Sequence, residues 1–101
     1  MASLSPFLPR HKSNVILKEV PGGAILFSTE TEVYFSLNLI GVRVWQLLSA
    51  EGIALNEVVA RIRDDYPEVS EETIAADVRG LVDDLRQHGL VEPVPVLTSR
   101  E

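Results

Sequence analysis

The stretch Glu32-Val33-Tyr34-Phe35-Ser36-Leu37-Asn38-Leu39-Ile40-Gly41-Val42-Arg43-Val44-Trp45 changes its periodicity once, at Asn38. Before it, Val33, Phe35 and Leu37 alternate with Glu32, Tyr34 and Ser36, the period of two that gives a strand one buried and one wetter face. After it, Ile40, Val44, Leu47 and Leu48 fall on one side of a helix with Trp45 beside them. Asn38 is an expected N-cap, the helix is expected from Leu39 to about Ala50, and Gly52 is its natural stop.

Upstream, Val15 to Val20 and Ala24 to Ser28 read as two further strands, joined by Pro21-Gly22-Gly23. Proline sets one φ of such a turn and glycine supplies a positive one. With Thr29-Glu30-Thr31 as the second turn, the order is an antiparallel meander whose third strand, Glu32 to Leu37, lies at an edge. Downstream, Leu55, Val58, Val59, Ile62 and Tyr66 make the stripe of a second helix, poorly capped at Ile53-Ala54 and ended by Pro67. Ser70 caps a third helix running to about His88, with Glu71 and Glu72 complementing its dipole. Its seam is Ile74, Val78, Leu81 and Leu85, widened by Ala75 and Val82. Gly89 closes it, and Leu90 to Glu92 is expected to fold back as a short strand or cap. The fold class is therefore α+β: a winged helix-turn-helix with a three-stranded antiparallel sheet followed by three helices. Residues 1–13 are expected as a flexible N-terminal arm, 14–92 as the domain and 93–101 as a tail.

Composition narrows the function. A chain of 101 residues is one domain, without room for a cleft between two. The absence of cysteine excludes disulfides, thiolate metal sites and thiol nucleophiles, and fits a cytoplasmic chain. No segment approaches the roughly 18–20 apolar residues of a membrane span, and the first residues lack the order of a secretory signal. The net charge of −6 is unevenly placed: residues 1–50 carry four basic and three acidic groups, residues 51–101 five and twelve. The third helix sets Glu71, Glu72, Asp77, Asp83 and Asp84 against Arg79 and Arg86, the wrong balance for a phosphate-lined groove. A winged-helix DNA-binding regulator is thus disfavoured, and no nucleic-acid or membrane partner is expected. His11 and His88, and the pairs Asp64-Asp65 and Asp83-Asp84, converge on no catalytic or metal geometry, since helix neighbours point about 100° apart. No enzyme activity and no cofactor are expected.

What remains is a binding module. An edge strand accepts an extra strand from a peptide, and the third helix would wall the groove beside it. On this reading the backbone of Glu32, Val33, Tyr34, Phe35 and Ser36 pairs with the peptide. Val33, Phe35, Ala75, Val78 and Val82 supply pockets, and Arg79, Asp83 and Arg86 set register. Asp77 is expected to hold the helix or its neighbouring loop. Val82→Glu is then the cleaner probe of the groove. The bland alternative is that these apolar residues are only core. A dimer pairing two third strands is a further alternative, so the oligomeric state is a monomer or a weak homodimer.

Phe35-Ser36-Leu37-Asn38, followed by Gly41, Val44, Trp45, Leu47 and Leu48, resembles the central signature of the PqqD family. Ile74, Asp77, Val78, Leu81, Leu85, Gly89, Leu90 and Val91 resemble its closing helix, and the Gly22-Gly23 hairpin also fits. The likeness spans Val15 to Glu92, departing in the uncapped start of the second helix and the longer arm. It implies a winged helix-turn-helix that recognises the leader segment of a ribosomally synthesised precursor peptide. The leader adds as a strand to the third strand, against the third helix, and is delivered to a separate leader peptidase or other modifying enzyme. Stand-alone members occur with lasso peptides, the setting favoured here, and as the peptide chaperone of pyrroloquinoline quinone synthesis.

Overall fold

A computed structural model describes residues 7–48 and 52–94. Its elements are β1 (Arg10–His11), β2 (Val15–Val20), β3 (Gly23–Ser28), β4 (Tyr34–Asn38), α1 (Leu39–Leu47), α2 (Leu55–Asp65), α3 (Glu71–Gln87) and β5 (Val91–Glu92). The meander β2-β3-β4 is antiparallel and leaves β4 at an edge. The three strands and three helices expected from the sequence are all present. The end expected for the first helix, at Ala50, falls outside the described residues.

Two glycines make the first hairpin possible. Gly22 adopts φ +81° after Pro21, the pattern of a type II turn. At Gly23 the requirement is space: a Cβ there would stand 1.9 Å from the Leu37 carbonyl oxygen. The second turn is longer than the alternation implied. Glu32 sits at φ +60°, a left-handed position, and its N–H donates to the Ser28 carbonyl at 2.8 Å. The buried Ser28 hydroxyl accepts from the Thr31 N–H at 3.2 Å and from Asn14 Nδ2 at 3.3 Å. The strand accordingly begins at Tyr34, not at Glu32.

The inner face of the sheet presents Leu17, Leu26 and Phe35 in one row, with Ala24 and Leu37 in the next. Leu26 is fully buried and shares one core cluster with Val44, Trp45, Val58, Ile62, Val78 and Leu85 from the three helices. Each such aliphatic side chain contributes roughly 1.5–3 kcal/mol by leaving water. Ala54 offers α2 no capping oxygen, as expected; the Glu57 carboxylate instead reaches back to the Ala54 N–H at 3.4 Å. Asn38 and Ser70 cap α1 and α3 through the N–H groups of Gly41 and Thr73.

Both ends of the domain extend beyond the boundaries read from the sequence. Residues 8–12, expected in a flexible arm, are held by the core. Arg10 pairs with Glu92 and His11 with Val91 in an antiparallel ladder, and the Arg10 guanidinium meets the Glu92 carboxylate at 2.9 Å. The Leu8 N–H donates to the Ile53 carbonyl at 2.8 Å. The His11 ring stacks on Trp45 with centroids 3.8 Å apart and planes 4° from parallel, and its Nε2–H donates to the Trp45 carbonyl. At the other end Val94 is buried.

Burial pushes the His11 imidazole below its ordinary value of 6.5, partly opposed by the bond to the Trp45 carbonyl. The unfolded chain therefore binds a proton at this residue more readily than the folded one. The stability from neutral His11 is complete above 6.5 and is lost as pH falls below it toward the lowered folded value. Thermal melts between about pH 8 and pH 5 should show a fall in Tm on acidification that is shallower in His11→Phe, which keeps a stacking ring and cannot charge. Equal slopes would remove His11 from the pH dependence.

Candidate peptide-binding groove

The open side of β4 follows from its register. In an antiparallel pair, successive residues turn their N–H and C=O alternately toward and away from the partner strand. The Ser28 N–H donates to the Val33 carbonyl at 2.9 Å, and the same register sets Leu26 opposite Phe35 and Ala24 opposite Leu37. Val33, Phe35 and Leu37 thus turn their backbone groups to β3. Tyr34 and Ser36 turn theirs to the open edge, where no strand pairs with them among the described residues. This shortens the stretch expected to pair: Glu32 uses its N–H within the turn and Val33 lies before the strand.

Side chains follow the same alternation. Tyr34 and Ser36 point to the exposed outer face, while Phe35 and Leu37 point inward toward the helices. Beside them runs a cleft of about 350 Å³. β4 contributes Ser36, Leu37 and Asn38, the start of α1 contributes Ile40, Gly41 and Val44, and α3 contributes Asp77, Val78 and Leu81. Leu37, Val44 and Val78 are buried. Asp77 is exposed and forms no ion pair among the described residues. Phe35 meets His88 edge-on at 5.1 Å, and the His88 Nδ1–H donates to the Asp84 carbonyl at 2.7 Å. The groove therefore extends along β4 from the cleft to the Phe35–His88 contact.

Only part of the expected helix contribution faces this groove. Val78 does. Ala75 and Arg79 lie on the opposite flank of α3, in a second cleft of about 300 Å³ shared with Leu55 and Val59 of α2. Val82 is 3% exposed and belongs to the core, so Val82→Glu tests folding and not the groove. Asp83 and Arg86 are exposed and pair with each other at 3.2 Å. Asp77, Leu81 and His88 recur at helical spacing on the β4 side. Their spacing was readable; which flank of the seam faces the sheet was not.

An edge strand with outward backbone groups, backed by an apolar groove against a helix, is a geometry suited to strand addition on a winged helix-turn-helix. The family described as coenzyme PQQ synthesis protein D (PqqD) matches residues 23–91, and this chain belongs to that family. Among solved structures it is similar to TbiB1 in complex with the TbiA(β) leader peptide, with 28% identity and a TM-score of 0.72. The match covers 86% of this chain and 99% of that one. No curated protein matches.

The assignment of flanks is checked by stability. Val82→Asp places an unpaired charge in the core and should cost about 3 kcal/mol or more in urea unfolding. Arg79→Ala, on an exposed site, should change stability by less than about 0.5 kcal/mol. A tolerated Val82→Asp would overturn the placement of Val82.

Proposed function

We propose that this chain is a non-catalytic recognition protein for the leader segment of a ribosomally synthesised precursor peptide. The leader adds as a strand to β4, against α3, and is presented to a separate maturation enzyme. The observation that carries this reading is the open edge at Tyr34 and Ser36 beside the Leu37–Val78 cleft, in a chain similar to one solved with a leader peptide. Backbone hydrogen bonds supply affinity and the inward pockets supply selectivity; neither requires a reactive side chain. The likeness to a chain solved with a leader peptide supports leader recognition; the lasso-type setting, with a leader peptidase and cyclase as recipients, is the one we favour over pyrroloquinoline quinone synthesis. The acidic residues of α3 weigh against a DNA-reading role. The proposed site is Tyr34, Phe35, Ser36, Leu37, Asp77, Val78, Leu81 and His88, within a domain spanning residues 8–94.

The edge makes a sharp test possible. Ser36→Pro removes an N–H that faces solvent in the free chain, a position where proline is tolerated in a sheet. The variant should keep its Tm within a few degrees, yet bind a fluorescein-labelled precursor leader about tenfold more weakly, or about 1.4 kcal/mol. Leu37→Pro, which removes a ladder N–H, should unfold. A folded Ser36→Pro variant with unchanged leader affinity would contradict strand addition at this edge.

A further inference from the structure

The cleft beside Leu37 has an uneven chemistry. Ile40, Val44, Val78 and Leu81 make its walls aliphatic, and Asp77 sets one carboxylate among them. The other polar side chain with a defined role there is engaged, since Asn38 Oδ1 accepts from the Gly41 N–H at 2.7 Å. The cations of α3 are elsewhere. Arg79 lies in the second cleft against α2, and Arg86 is held by Asp83. Asp84, seven residues after Asp77, returns to the same stripe of the helix and adds a second negative charge along the groove. Among the described residues no Lys or Arg lines the cleft.

The β4 register says which peptide position enters it. A strand added to β4 forms its hydrogen-bonded pairs opposite Tyr34 and Ser36, and those residues keep their side chains on the outer face. The residues opposite Phe35 and Leu37 send their side chains inward, two positions apart in the peptide. The one opposite Phe35 meets the Phe35 and His88 rings. The one opposite Leu37 enters the cleft, where aliphatic walls suit a methylene stem and the exposed carboxylate suits a charged head. Resting on the leader-binding reading above, we infer that this cleft selects a lysine or arginine of the leader opposite Leu37, with Asp77 as its counter-ion. The other inward residue is apolar or aromatic, so the leader class is one with a cation and an apolar residue at i and i+2. The net charge of −6 favours the approach of such a peptide.

The experiment is a scan of the labelled leader in which each position is replaced in turn by lysine, glutamate, norleucine and tyrosine. Binding is measured by fluorescence anisotropy to the wild-type chain, Asp77→Asn and Asp77→Lys. At one position, lysine should bind the wild type about two- to fivefold more tightly than norleucine, the size of an exposed ion pair. That preference should vanish in Asp77→Asn, reverse for glutamate against Asp77→Lys, and shrink as salt rises to about 0.5 M. Binding of the parent leader that is indifferent to Asp77 at every lysine position overturns the inference while leaving leader binding intact. Tyrosine or norleucine binding as well as lysine at the inward position does the same. A parent leader that does not bind the wild-type chain overturns the leader-binding reading itself.

Discussion

The groove depends on the junction where the last strand of the meander turns into the first helix. Gly23 pairs with Asn38 so closely that any side chain on Gly23 would strike the Leu37 carbonyl. At the same residue the Asn38 side chain takes up the Gly41 N–H and starts α1. Two constraints thus meet at one point. The first holds the end of β4 hard against β3, and the second sends the chain directly into a helix that packs over the inner face of the sheet. With β4 paired on one side only, its other side lies open beside α1 and α3. A looser junction would let α1 drift and the cleft lined by Leu37, Val44 and Val78 would lose its shape.

Much of this was legible in the residues. The switch of period at Asn38, the proline-glycine turn and the glutamate-rich start of the last helix each dictate a local structure that tertiary packing did not overrule. The resemblance in Phe35 to Asn38 and in the closing helix pointed to the same family that the match over residues 23–91 establishes. The start of β4 was misplaced for a physical reason. Glu32 and Val33 fit the alternation of a strand, while the left-handed turn at Glu32 is imposed by hydrogen bonds to Ser28, which no pattern of hydropathy reveals.

The α3 residues show the more instructive failure. Sequence reading set Ala75, Val78, Arg79, Val82, Asp83 and Arg86 along one groove, whereas Ala75 and Arg79 line a second cleft against α2 and Val82 is buried. The flank left for a ligand is the one that must also tolerate water when empty, so it carries Asp77, Asp84 and His88 around Leu81. Apolarity along a helix reports what is permanently buried; a binding face is read from a mixed stripe next to it. The docked residues 8–12 escaped notice for a related reason. A two-residue ladder and a single histidine stacked on a tryptophan leave almost no periodic trace, although they cover the same indole that anchors α1.

That short ladder has an architectural consequence. Because Arg10–His11 lies beside Val91–Glu92, the polypeptide comes into the domain and leaves it at neighbouring points. A unit with its two connections side by side can be carried within a longer polypeptide, or cut and rejoined in a new order, without stretching the sheet. The ladder is thus a suture. It makes the recognition unit portable, able to be joined to another domain or separated from it while the groove stays the same.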